Sequence, residues 1–308
     1  MREKAVRSRQ TLSAQARDNI AGYLFLAPSL IGFLIFVAFP IVASFGLSFT
    51  NWDFLTGLKG IEFNGLDNYI QLLSGKDEWF TRSMLNTVLF AAVTVPVGII
   101  LGLITATLIN KYVYAPGLFK VLVFIPYISS IVASAVVWQV VFQPSYGPIT
   151  ALLQALGVEN TPKWFVDERF AFFLVMLFSI WQSLGYNTIV FSSGLKSIPN
   201  DLYEAATIDG ANELQKFRYI TIPMISPTTF FLSTMSIIGS FKVFDAIKIL
   251  TGGGPGNATS VIAFYIYREA FTFYRMGTAN AAAWVMFALI FLVTMIQMHG
   301  QKKWVTYD

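Results

Sequence analysis

Six stretches of the chain hold no Asp, Glu, Lys or Arg and are long enough to cross a bilayer: Ile20–Phe49, Met84–Ile109, Val121–Phe142, Phe170–Leu195, Tyr219–Phe241 and Met276–Met298. A helix rises about 1.5 Å per residue, so about 20 residues cross a hydrocarbon core about 30 Å thick. Hydrocarbon offers no hydrogen-bond partners, and a helix satisfies its own backbone. The pattern predicts an all-α membrane protein with six transmembrane helices. A membrane β-barrel would show alternating segments of about ten residues, and none occurs in the sequence.

The first run is too long for the apolar part of a signal peptide, and Pro28 and Pro40 interrupt it. It reads as a retained, kinked helix. The apolar run Thr259–Tyr267 is too short to span and reads as an interfacial or re-entrant piece outside the membrane. Residues 1–19 form a polar tail and 20–308 a single transmembrane domain. The intervening segments Asn51–Ser83 and Gln143–Arg169 are long enough to fold on the outer face.

Composition agrees with this pattern. Of 308 residues, 55% are hydrophobic and 12% charged, and the mean hydropathy is +0.61. Soluble domains carry about 25% charged residues. The net charge of +4 is explained by topology rather than by nucleic acid. Arg2, Lys4, Arg7, Arg9, Arg17, Lys111, Lys120, Lys196, Lys216, Arg218, Lys302 and Lys303 all fall on one side if both termini are cytoplasmic. The absence of cysteine removes thiolate chemistry and disulfides, and the lone His299, at the end of the last run, cannot build a histidine-rich metal site.

The loop between the fourth and fifth runs is the most informative segment. Residues 201–213 read as a short helix followed by a turn. Asp201 is a candidate N-cap, with Glu204 placed to close a capping box. Gly210 ends the helix, through a left-handed torsion or close approach of another backbone. By pattern alone, this is equally an amphipathic helix lying on the membrane.

The spacing narrows that choice. Glu204-Ala205-Ala206, then Gly210, Ile220 and Pro223, resembles the cytoplasmic loop of bacterial binding-protein-dependent ABC importers, with Ile222 in place of the usual Leu. Further segments resemble the carbohydrate permeases of the maltose/glycerol-3-phosphate group along nearly the whole chain. They are 26–29, Phe39-Pro40, Leu47–Asp53, Gly65–Tyr69, Phe124–Pro126 and Leu250–Pro255. The resemblance implies a type I ABC importer permease fold. It also implies that Glu204, Ala205, Ala206, Asp209 and Gly210 face a cleft on a separate ATPase subunit. Implied partners are a second homologous permease, two ATP-binding subunits, an extracytoplasmic solute-binding protein and a sugar or oligosaccharide. ATP and magnesium would sit on the ATPases, with no cofactor in this chain, and the location would be the bacterial cytoplasmic membrane.

Two other motifs carry no chemistry. The glycine-rich segment 251–260 lacks the Gly-Lys-Ser/Thr ending that reaches phosphates and reads as a turn. Asn257-Ala258-Thr259 matches a glycosylation acceptor by chance in a prokaryotic family.

Polar residues inside apolar runs face a bundle interior or a water path. The fourth run carries Ser179, Gln182, Ser183 and Tyr186 on one helix face, the fifth Thr229, Ser233, Ser236 and Ser240, and the third Tyr127, Ser130, Ser134 and Trp138. Small hydroxyl residues also serve as helix–helix contacts. Tyr127, Gln182 and Tyr186 are too large for that role and are candidates for the substrate path, with Ser183, Ser240 and Phe241 beside them. Phe244 and Asp245 would cap the outer end, Asp245 pairing with Lys242 or Lys248. A proton- or sodium-driven transporter would need carboxylates inside the spans, and there are none. A membrane enzyme would need a cluster of His, Asp, Glu or Cys, which is also missing. The stripes carry no Arg or Lys, which favours a neutral sugar over a phosphate.

Overall fold

The computed structural model describes the backbone of residues 2–306. Among the described residues there is no strand, only isolated bridges between Thr50 and Phe63 and between Asp53 and Arg275. The first crossing is α1 (Arg2–Phe33), a π-helical turn (Leu34–Ala38) and α2 (Phe39–Leu47). Pro40 lies at the start of α2. It has no N–H for the regular ladder, and the chain meets that loss with a register shift rather than a sharp break. The tail thus runs into the first span as one helix.

The connecting segment that follows carries α3 (Asp67–Leu73). The second crossing is α4 (Glu78–Tyr112), capped by the Asp77 carboxylate, which accepts from the Phe80 N–H at 2.8 Å. It is longer than its apolar run, because the cap and the first turn lie outside hydrocarbon.

The third run is two helices, α5 (Pro116–Ile128) and α6 (Ile131–Val141), bent by 94°, where the sequence predicted one span. Pro126 sits in the last turn of α5, and Ser129 and Ser130 turn extended at ψ 149° and 125°. The next connecting segment contains α7 (Pro148–Ala155), and the fourth crossing is α8 (Glu168–Lys196).

The loop helix α9 runs Asn200–Ile208, shorter than expected. Its N-cap position is Pro199, with Asp201 in the first turn. The capping box forms instead between Asn212 and Gln215, opening α10 (Glu213–Lys216). A π-turn (Phe217–Thr221), α11 (Ile222–Met224) and α12 (Ser226–Phe241) complete the fifth run, bent by 62°. Pro227 cannot donate to the Pro223 carbonyl, and the Ser226 hydroxyl donates to it at 2.6 Å.

The chain ends with α13 (Asp245–Leu250), α14 (Ile262–Phe271) and α15 (Met276–Gly300). The run around 259–267 is therefore a loop end and the start of α14. Ile262 and Tyr265 pack with Leu72, Phe80, Ala281 and Ala282, all fully buried.

Spans two and four form the centre. The Asn187 amide donates to the Gly98 carbonyl at 3.1 Å. At Gly102 an added methyl would lie 2.6 Å from Asn187 Cβ, so only a residue without a side chain permits this approach.

The end of the bundle that carries the glycine-rich turn is fastened by side chains of α4. Asn86 donates to the carbonyls of Ala258 (3.0 Å) and Ser260 (2.9 Å), Thr87 accepts from the Ile262 N–H (2.9 Å), and the Ser83 and Ser260 hydroxyls meet at 2.8 Å. Gln139 on α6 donates to the Ile249 carbonyl at 2.7 Å. The glycine-rich turn is thereby held from two directions.

Beside it, the Tyr265 hydroxyl donates to Asp77 at 2.5 Å, and Arg268 lies over the Trp79 ring. Glu269, 3% exposed, has Arg275 at 3.7 Å. Burial raises the Glu269 carboxyl above its ordinary range, partly opposed by Arg275. A carboxyl whose pKa is raised by folding binds more protons folded than unfolded. Its contribution is complete below the unfolded value, about 4.3, and is lost as pH rises through the folded value. Thermal unfolding of wild type should therefore lose ground to a Glu269→Gln variant as pH climbs from about 4.3 toward neutrality. Parallel melting curves at all pH values would contradict this.

Candidate functional site

Two regions gather the candidate residues. The first is the bend of the third run against α8. Tyr127 stacks on Tyr186, ring centroids 5.0 Å apart and 22° from parallel, and Phe124 follows at 5.4 Å. Residues 59 positions apart in sequence thus meet. Gly185 makes the contact possible: an added methyl would collide with the Val123 carbonyl and lie within 2.6 Å of Phe124 Cα. Tyr127 keeps 45% of its surface exposed. Gln182, one turn before Tyr186, is half-buried and makes no hydrogen bond among the described residues.

The hydroxyls on these faces are mostly spent on their own helices. Ser179 donates to Val175 (2.9 Å), Ser183 to Ile180 (3.2 Å), Thr229 to Ile225 (3.1 Å) and Ser240 to Ile237 (2.7 Å). Ser233 accepts from Gln297 at 2.6 Å, a true contact between helices. Ser240 and Phe241 are buried on α12, away from the tyrosine pair in sequence and not joined to it by a hydrogen bond. Asp245 has no ion pair among the described residues; Lys248 donates instead to the Tyr267 hydroxyl at 2.8 Å.

The second region is the loop helix. Glu204, Ala205 and Asp209 are exposed and Ala206 half-buried. Ile208 and Leu214 are 86% and 75% exposed, an apolar display left open among the described residues. Gly210 takes φ +78° and has no neighbour within 4 Å of an added methyl. Its N–H bonds the Thr207 carbonyl at 3.1 Å and that of Ala211 bonds Ala206 at 2.9 Å, the paired bonds of a glycine-terminated helix. Of the two expected reasons for this glycine, the left-handed torsion is the one realised within the chain. Tyr203 meets Thr221 at 2.9 Å, fixing the helix to the base of the fifth run.

Sequence reasoning missed Asn86, Asn187, Gly185 and Gly102. The signal for the two asparagines was present: each is an amide inside a charge-free run. The glycines carried no signal, because close approach depends on which helices meet.

A family described as binding-protein-dependent transport system inner membrane component matches residues 98–305. A probable ABC transporter permease of Bacillus subtilis is 36% identical over 95% of this chain and 94% of its own length. The trehalose/maltose transport system permease of Thermococcus litoralis is 33% identical over 94% of this chain and 96% of its own. Among solved structures, a chain of a bacterial ABC transporter importing the acidic polysaccharide alginate superposes with a TM-score of 0.82 at 25% identity, covering 95% of this chain and 98% of its own.

Gly185→Val should force α5 off α8. Overpacking a tight contact costs about 1–3 kcal/mol, so detergent-solubilised protein should unfold at lower temperature and Tyr127–Tyr186 stacking should be lost. An unchanged melting midpoint would mean that the two helices can separate freely.

Proposed function

The chain belongs to the binding-protein-dependent transport system inner membrane component family, a transport permease without an enzymatic reaction, and on that premise we propose how it conducts its substrate. A multi-pass chain of an ATP-driven importer needs a route through the membrane and a handle for its motor. The handle is the segment 200–212, and the observation that carries the reading is its free apolar face around Ile208, ended by the left-handed Gly210. Glu204, Ala205, Ala206, Asp209 and Gly210 contact an ATP-binding subunit. Both termini and this loop are cytoplasmic, in keeping with the basic residues at those ends. The loops that hold Asn51–Ser83 and the glycine-rich turn face outward, toward a solute-binding protein. A second homologous permease completes the path.

Tyr127, Gln182, Ser183 and Tyr186 line this chain's half of the route, and Ser240 and Phe241, buried on α12, support it from within the bundle. Stacked phenol rings present apolar faces and hydroxyls together, which suits a sugar. No Arg or Lys lies in the central stretch of α8 or at the bend, which supports a neutral sugar over a phosphate or an acidic polysaccharide.

The mechanism is alternating access. Docking of the loaded binding protein outside and closure of the ATPases inside move the loop helix and open the route outward. Two tests address the two regions. Gly210→Glu places a side chain at φ +78°, where strain costs about 1–3 kcal/mol, and projects a charge at the ATPase. The variant should insert normally yet lose ATPase co-purification and uptake; normal uptake with normal assembly would remove the handle.

For the route, uptake of labelled neutral di- and oligosaccharides is compared with glycerol 3-phosphate. Gln182→Ala and Tyr186→Ala should weaken neutral-sugar transport several-fold, as expected for loss of a hydrogen bond of about 1 kcal/mol net. ATPase activity stimulated by the loaded binding protein should change less. Variants that fall apart while residual transport keeps its affinity would make these residues structural.

A further inference from the structure

Movement of the loop helix must reach spans that are not its neighbours in sequence. Within 200–216, most polar contacts are local: Thr207 to Tyr203, Asn212 with Gln215, and Tyr203 to Thr221 at the base of the adjoining fifth run. Glu213 is different. Its carboxylate is hydrogen-bonded by Lys111, from the last turn of α4, and by Lys216 at 3.1 Å. Among the described residues, Lys111–Glu213 is the hydrogen-bonded or ionic side-chain contact that joins this loop to span two.

The placement is built rather than incidental. The reciprocal Asn212–Gln215 capping box fixes the residue between them at the start of α10. α4 overshoots its apolar run by a turn and so carries Lys111 out to meet it. Lys216, only 14% exposed in its side chain, holds the same carboxylate from within the loop. α4 in turn packs along α8 through Gly98, Gly102 and Asn187, and Asn110, one residue before Lys111, accepts from both Lys120 of α5 and Ser192 of α8 at 2.8 Å. A displacement delivered at Glu213 therefore reaches the junction of α4, α5 and α8, below the Tyr127–Tyr186 stack.

We propose that Glu213 is a positioning residue that ties the loop helix to span two, so that the loop and the inner end of α4 move together. This rests on the reading of 200–212 as the ATPase contact. The competing account makes Glu213 only an acid at a helix start. The two differ in what Lys111 does: the competing account assigns it no part, and predicts that moving a cation to position 213 harms the helix whatever stands at 111.

The chain has no cysteine, so spin labels can be placed at Leu108→Cys and Leu214→Cys, both exposed sites. Label separation is measured in the full complex with its ATPases, nucleotide-free and after trapping with ATP and vanadate. Wild type should give one narrow separation, the same in both states. In Glu213→Gln and Lys111→Gln a second separation should appear on trapping. Its share should rise by up to about fivefold, the small effect expected of an exposed ion pair. ATPase content and melting midpoint should stay at wild-type values. The exchanged variant Lys111→Glu/Glu213→Lys should restore the single separation. Undisturbed separations in both Gln variants, or an exchanged variant worse than either, would overturn the proposal while leaving the ATPase contact intact. A wild-type complex that carries no ATPase would overturn both.

Discussion

A backbone carbonyl in hydrocarbon has nothing to bond unless the protein supplies it, and each orphan costs several kcal/mol. Every departure from regular helix in this chain has to meet that constraint. At the break after α5, the Ser129 hydroxyl and N–H both bond the Ile125 carbonyl, at 2.8 and 3.0 Å. At the break in the fifth run, Ser226 bonds the carbonyl stranded by Pro227, and its oxygen accepts from the Thr306 N–H at 2.9 Å. Ser226, next to Pro227, supplies the donor that the proline lacks. Those two turns direct the remaining geometry: one lays Tyr127 over Tyr186, and the other places a hinge directly above the loop helix.

The same constraint explains how the helices choose partners. Lipid is as apolar as Leu or Val, so burying such residues gives little reason for two spans to associate. Contacts instead form where small residues let backbones come close and where an amide finds a carbonyl. Gly98, Gly102 and Asn187 join α4 to α8, Gly185 joins α5 to α8, and Asn86 joins α4 to the glycine-rich turn. The segment 251–260 holds its shape because Asn86, Ser83, Thr87 and Gln139 pin its ends, rather than through its own composition.

The all-helical membrane architecture and the order of its apolar runs were legible in the sequence because a charge-free run is a one-dimensional signal. The breaks within the third and fifth runs were not, since proline is tolerated in membrane helices with or without a sharp bend. The bend of the third run falls where Ser129 and Ser130 turn extended, and that of the fifth where Pro227 removes a ladder donor. Glycine at 210 was legible as a helix end, and its positive φ gives the physical form of that end. Asp201 looked like a cap because it stands three residues before Glu204, yet the chain enters α9 through Pro199 and keeps its capping box for Asn212 and Gln215. Tyr127 and Tyr186 were chosen on size and polarity, and their stacking lends those choices a geometry that no spacing could provide.

Exposed surface has a different meaning here from its meaning in a soluble protein. The first span buries none of its apolar window within the chain, and this asks for nothing more than lipid. The open amide of Gln182 and the half-exposed phenol of Tyr127 do ask for something, because acyl chains cannot bond them. The polar face of α8 at the bend must therefore look onto water or another protein rather than onto lipid. This chain covers part of that face, with Tyr127 of α5 stacked on Tyr186. A second permease opposite it would turn the face into a closed route, and the loop helix, tied to the base of α4, would then stand where a motor could widen or narrow it.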